Sequence, residues 1–138
     1  MSAALDILLL DVTPLSLGIR VAKLKDHSVL RMSKIINRNT SIPIEKTEMY
    51  QTSADNQTTI SIHVLQGEAE LAKDNHKIAK FDINGITPAP AGEEKVDVTF
   101  KIDANGILQV IVKDKKTGNS ESLTIEAEKL NLPKEEVA

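Results

Sequence analysis

Val96-Asp97-Val98-Thr99-Phe100-Lys101-Ile102-Asp103-Ala104-Asn105-Gly106-Ile107-Leu108-Gln109-Val110-Ile111-Val112 is the stretch that decides the fold. Apolar side chains at 96, 98, 100 and 102, and again at 108, 110 and 112, recur at every second residue. A period of two places each set on one face of a strand. Between the runs, Asp103-Ala104-Asn105-Gly106 supplies tight-turn chemistry, because Gly adopts positive φ freely and Asn tolerates it better than most residues. The stretch therefore reads as an antiparallel hairpin with one buried face.

The same signal extends outward. Leu15, Leu17, Ile19 and Val21 alternate, as do Ile60, Ile62 and Val64, and Leu123 with Ile125 closes the series. Val29 to Ile36 is apolar-rich with Arg31, Ser33 and Lys34 interspersed, and residues 23–28 before it read as a polar, solvated turn. Asp55-Asn56, Asn84-Gly85 and Thr117-Gly118 mark further turns. Residues 86–92 contain two prolines, which remove backbone donors, so this segment is expected to cross between sheets as an exposed loop. The expected fold is all-β, an antiparallel β-sandwich of about eight short strands. At the end, Pro133 followed by Lys134-Glu135-Glu136-Val137 reads as the first turn of a helix that the chain truncates.

Bulk properties narrow the function. A chain of 138 residues fits one domain with a real core, and 0 Cys excludes disulfides and thiolate metal sites. The net charge of -3 comes from 17 basic and 20 acidic residues spread along the chain, which leaves no continuous positive field for a phosphate backbone. Tyr50, Phe81 and Phe100 are the aromatic residues, too few to make a base-stacking platform. Nucleic acid is not an expected partner. The start lacks a basic region, and the apolar run Ile7 to Leu10 is too short for a signal peptide or a membrane span. The expectation is a soluble, cytoplasmic chain with no membrane partner. The sequons at Asn39 and Asn56 then read as chance matches in loops.

Catalytic and metal chemistry find no foothold in the spacing. Most carboxylates fall in turns or on polar strand faces, and neither a Gly-x-Ser-x-Gly elbow nor a phosphate-binding glycine loop occurs. His27, His63 and His76 lack ligand spacing, although Glu68, Glu70 and Asp74 lie close to His76 in sequence. His63, between Ile62 and Val64, reads as an outward strand residue. The chain is expected to be non-catalytic, with no cofactor-binding or metal-binding residue. A sandwich hydrolase with paired carboxylates is the enzyme rival, and the spacing does not favour it.

Leu8-Leu9-Leu10-Asp11-Val12-Thr13-Pro14-Leu15-Ser16-Leu17-Gly18-Ile19 closely resembles the interdomain linker and first strand of seventy-kilodalton heat-shock chaperones. Arg38-Asn39-Thr40-Ser41-Ile42-Pro43, Ala54-Asp55-Asn56-Gln57, Val64-Leu65-Gln66-Gly67-Glu68 and Ala72-Lys73-Asp74-Asn75 follow in that family's order and approximate spacing. Gly85-Ile86-Thr87-Pro88-Ala89-Pro90 and residues 98–108 continue the match, which covers nearly the whole chain.

The resemblance implies the substrate-binding β-sandwich of such a chaperone, with the start of a helical lid. It would hold extended apolar segments of unfolded polypeptides, and the binding would be coupled to ATP hydrolysis elsewhere. On this reading residues 1–11 form a tail and linker, 12–129 the sandwich and 130–138 the beginning of the lid. Carried over by position, the peptide pocket would be Leu17, Ile19, Val21, Tyr50, Ile60 and Ile62, with Ala22 and Ser53 forming an arch over the peptide backbone. Leu8, Leu9, Leu10, Asp11, Arg38 and Pro43 would couple to the ATPase domain. ATP and Mg would belong to that missing domain, and J-domain co-chaperones and nucleotide exchange factors would act on the intact protein. Periodicity alone reads the pocket residues as ordinary core, and reads Ile7 to Leu10 as an edge strand.

The chain also departs from the family pattern. A longer stretch including residues 23–30, about six residues more, stands where a short Gly-rich turn is usual. Ala22 is smaller than usual, Ser53 replaces an alanine, Tyr50 a phenylalanine, and Ala91 an arginine that helps latch the lid. Shifted selectivity and faster exchange are the expectations. The Leu-rich start, or Leu130-Asn131-Leu132-Pro133, could occupy a neighbour's groove and cause self-association. A diverged adaptor or scaffold sandwich is the alternative to a peptide-binding module.

Overall fold

The computed structural model describes residues 12–130. Eight strands follow one another: β1 (Leu17–Lys23), β2 (Asp26–Ile36), β3 (Ile44–Gln51), β4 (Thr59–Gln66), β5 (His76–Asn84), β6 (Lys95–Ile102), β7 (Leu108–Asp114) and β8 (Ser120–Ile125). A 3-10 turn at Ala72–Asp74 precedes β5, and a short helix α1 (Ala127–Leu130) follows β8. Two four-stranded antiparallel sheets result, ordered β2-β1-β4-β5 and β3-β6-β7-β8. The all-β sandwich expected from the alternation is therefore the architecture of the chain.

The decisive hairpin behaves as its period dictates. Val96, Val98, Phe100 and Ile102 pair with Asp114, Val112, Val110 and Leu108, and all eight residues are buried. From the facing sheet, Ile19, Ile62, Val64 and Ile83 complete an aliphatic core around Phe100. Gly18 matters for a different reason: a Cβ there would sit 1.9 Å from the Ser33 carbonyl oxygen. The β1 and β2 backbones thus approach more closely than a side chain permits.

Two local expectations are corrected. Leu15 lies ahead of β1, which begins at Leu17. The turn expected over residues 23–28 shrinks to Leu24 and Lys25, because Lys25 takes φ 59° and lets Lys23 pair with Asp26. The extra length of this connection is therefore ladder, with β2 starting three residues before Val29. A helical turn that spacing does not mark forms at Ala127–Leu130, where the Gln66 side-chain amide donates to the Leu130 carbonyl (2.8 Å). Pro133 and the segment after it lie outside the described residues.

Nor are all carboxylates solvated. Asp114 is buried because it builds the β7–β8 turn, accepting from the Lys116 amide at 2.9 Å. Glu94 is also buried, with Lys116 3.7 Å away.

Candidate functional site

Strands β1, β3 and β5 run toward one end of the sandwich, so the β1–β2, β3–β4 and β5–β6 connections all emerge there. Backbone bonds tie the latter two together. Thr52 N–H donates to Glu94 O (2.9 Å), Gly92 N–H to Thr52 O (2.9 Å) and Asn56 N–H to Ala89 O (2.8 Å). Gln57 braces the β3–β4 loop from within, its Oε1 accepting from the Ser53 and Ala54 amides while its Nε2 donates to Thr59 O. These bonds give a polar loop segment a fixed shape that its sequence alone would not impose.

Five of the eight predicted pocket residues gather at this end. Val21, Tyr50 and Ile60 are half-buried and pack against the core from β1, β3 and β4, while Ala22 and Ser53 sit half-exposed at the strand ends. Ile19 and Ile62 are fully buried core residues. Leu17 stands at the opposite end of β1, paired with Ile36 and Gln66, so the fold separates it from the others. The Tyr50 hydroxyl finds the partner it needs in Ser33 Oγ (2.8 Å), and burial pushes its pKa up.

The extended β1–β2 hairpin reaches across to the β3–β4 loop. Lys25 N–H donates to Ser53 O at 2.6 Å, and His27 Nε2 lies 2.7 Å from Ser53 Oγ. Lys25 Nζ stands 3.4 Å from Asp55 Oδ2. The Ala91 amide, together with Lys25, holds the Asp55 carboxyl below its usual range. Leu24 lies beside Gly92, as does Gln51. The first three contacts latch the hairpin to the β3–β4 loop, and none was visible from spacing.

Arg38 and Pro43 occupy the β2–β3 connection at the other end of the molecule. Arg38 N–H donates to Ser16 Oγ (2.9 Å), and Val12 bridges Ser41, so this connection is stitched to the chain entering β1. Leu8, Leu9, Leu10 and Asp11 lie outside the described residues.

His63 takes the outward face that alternation suggests, but it is covered there. It is 7 % exposed, and its Nε2 lies 2.7 Å from Arg20 Nη2. Desolvation, followed by the charges of Arg20, Lys77 and Lys80 against that of Asp82, lowers its pKa from 6.5 to about 4. The neutral ring then accepts from the guanidinium. Because the folded value lies below the unfolded one, the unfolded chain binds more protons between those pH values, and stability is complete above pH 6.5 and falls below it. The loss should reach about 2 kcal/mol at pH 5. Urea unfolding at pH 7 and pH 5 measures it, and His63→Gln, which keeps an acceptor for Arg20, should remove most of the difference. Asp26, Asp55 and Glu68, whose pKa values are also lowered, begin to cost stability only near or below their unfolded values of 3.8 and 4.5.

Among the described residues, no three His, Asp or Glu side chains converge into a metal-binding group. Glu68, near His76 in sequence, is engaged by Ser16 and Lys34, and Glu70 by Arg31.

Sequence comparison with known proteins finds relatives along nearly the whole chain. The model of the family described as "Hsp70 protein" matches residues 2–138. "Chaperone protein dnaK" of Cyanidium caldarium is 56% identical over 120 residues, which is 87% of this chain and 18% of that protein. The protein of the same name from Gracilaria tenuistipitata var. liui is 53% identical over 132 residues, 96% of this chain and 20% of that protein. The chain spans about a fifth of the length of the curated relatives it matches. With a family match across nearly all of the sequence, the chain belongs to the Hsp70 family.

Proposed function

We propose that this chain is a chaperone module that holds extended, apolar segments of unfolded polypeptides at the loop end of the sandwich. The observation that carries this reading is the convergence of three connections over the half-buried side chains Val21, Tyr50 and Ile60. Apolar side chains left partly covered beneath converging loops offer a place where an apolar ligand side chain can be received. The peptide would lie under the latch, with backbone hydrogen bonds supplying affinity and one apolar side chain entering between Val21 and Ile60. That division of labour gives breadth of sequence with an apolar preference. No bond is made or broken at this site.

In the intact protein this grip would be driven by ATP hydrolysis in a separate Mg-dependent ATPase domain, with co-chaperones and exchange factors setting the cycle. Arg38 and Pro43, at the far end, would meet that domain. A buried leucine contributes about 1.5–3 kcal/mol, and a micromolar complex needs about 8 kcal/mol, so backbone and flanking contacts supply most of the affinity.

Fluorescence anisotropy with a labelled Leu-rich heptapeptide tests the reading. Saturable binding is expected, weakened at least ~10-fold by Ile60→Asp, since the new carboxylate would be desolvated by the peptide. An unsaturable signal, or equal affinity for the variant, contradicts it. Ile60 is a sounder probe than Ile62, whose burial makes a charged substitution a folding defect.

A further inference from the structure

The face of the β2-β1-β4-β5 sheet turned away from the core carries a cavity of about 520 Å³. None of the predicted pocket residues lines it. Alternation explains this: Ile19 and Ile62 point inward, so Arg20 and His63 beside them point outward, where they meet at 2.7 Å. The β4–β5 connection folds back over this face, with Met32 N–H donating to Glu70 O (3.0 Å) and Arg31 bridging Leu71. This return makes the sheet face concave.

The lining has two characters. Val29, Leu30, Leu65 and Leu71 provide apolar wall, and Val29 is 45% exposed. Arg20, Lys73 and Lys77 supply three positive charges, whereas no Asp or Glu is among the described residues that line the cavity. None of the three takes part in an ion pair among the described residues. Where other cations on this sheet meet carboxylates, as Arg31 meets Glu70 and Lys34 meets Glu68, the residues lining this cavity include none, although Asp82 is near enough to act on His63. The depressed basicity of His63, after desolvation, reflects the same accumulation of positive charge.

We propose that this cavity binds an amphipathic carboxylate, its head group on Arg20 and Lys77 and its hydrocarbon against Val29, Leu30, Leu65 and Leu71. The guanidinium fork suits a planar carboxylate, and its bond to neutral His63 uses only part of its donor set. The apolar wall gives no reward to a bare anion, and the cations give none to a neutral chain. The volume lies within the range of small-molecule sites. The site stands apart from the peptide groove and does not depend on it.

Titration of the 15N-labelled chain with sodium octanoate, 1-octanol and sodium acetate, followed by amide shifts, decides the matter. Octanoate should saturate with a Kd of roughly 1 mM or tighter and shift Leu30, His63 and Lys77. Octanol and acetate should each bind at least ~10-fold more weakly, and the exposed substitution Lys77→Glu should weaken octanoate ~10-fold with an unchanged spectrum elsewhere. Equal binding of octanol, equal binding of acetate, or octanoate shifts confined to Val21, Ser53 and Ile60 would each overturn the assignment.

Discussion

Phe100→Ala should destabilise the sandwich by about 4 kcal/mol, the largest effect expected from any single truncation in this chain. Phe100 is fully buried, is the largest such side chain, and sits mid-hairpin opposite Val110. Removing the ring forfeits its transfer free energy and leaves a cavity that two hydrogen-bonded sheets cannot collapse into. Set against the 5–15 kcal/mol typical of domains, such a loss removes between about a quarter and most of the stability. Urea unfolding monitored by far-UV circular dichroism reads it directly. A loss below about 1 kcal/mol would mean that the core is not organised around this residue.

Replacing residues 23–28 by Gly-Gly should speed both loading and release of a bound heptapeptide by roughly 30- to 100-fold, with a smaller change in Kd. The latch consists of the Lys25 amide on Ser53 O, His27 on Ser53 Oγ, and Lys25 beside Asp55. Each such bond is worth about 0.5–1.5 kcal/mol net, less for the exposed ion pair, so together they hold the loops closed by about 2–3 kcal/mol. On the proposed reading the hairpin tip would cross the groove both empty and filled, so opening would limit the exchange in both directions. Stopped-flow anisotropy gives both rate constants. Rates within threefold of the parent would show that the hairpin does not gate the site.

How much of this was legible beforehand depended on where tertiary contacts overrule the local pattern. Residues 96–112 were readable because strict alternation, a turn with Asn-Gly and complete burial of one face all agree. Strand β3 was not: Ile44-Glu45-Lys46-Thr47-Glu48-Met49 lies at a sheet edge, pairs only with β6, and buries too little to show a period. Likewise the start of β2 looked like a turn because its residues face solvent on the hairpin and are held by Ser53 rather than by a core.

Within the site, periodicity identified Val21 and Ile60 as inward residues but could not distinguish pocket from core. That distinction depends on how close each stands to the converging loops, a property of topology. Leu17 shares the period of Val21 yet ends up far from it for the same reason. Alternation places His63 on the correct, outward face, but it says nothing of what folds back over that face. Residues 67–75, returning across the sheet, do the covering.

The central claim is that an extended apolar peptide is gripped at the loop end of the sandwich, between Val21, Tyr50 and Ile60. Intermolecular nuclear Overhauser effects from a methyl-labelled Leu-rich heptapeptide test this most directly. Contacts from one leucine to the Val21 and Ile60 methyl groups and to the Tyr50 ring, with amide shifts at Ala22 and Ser53, are the predicted result. Contacts confined to the Arg38–Pro43 end, or to the Arg20–His63 face, would contradict it.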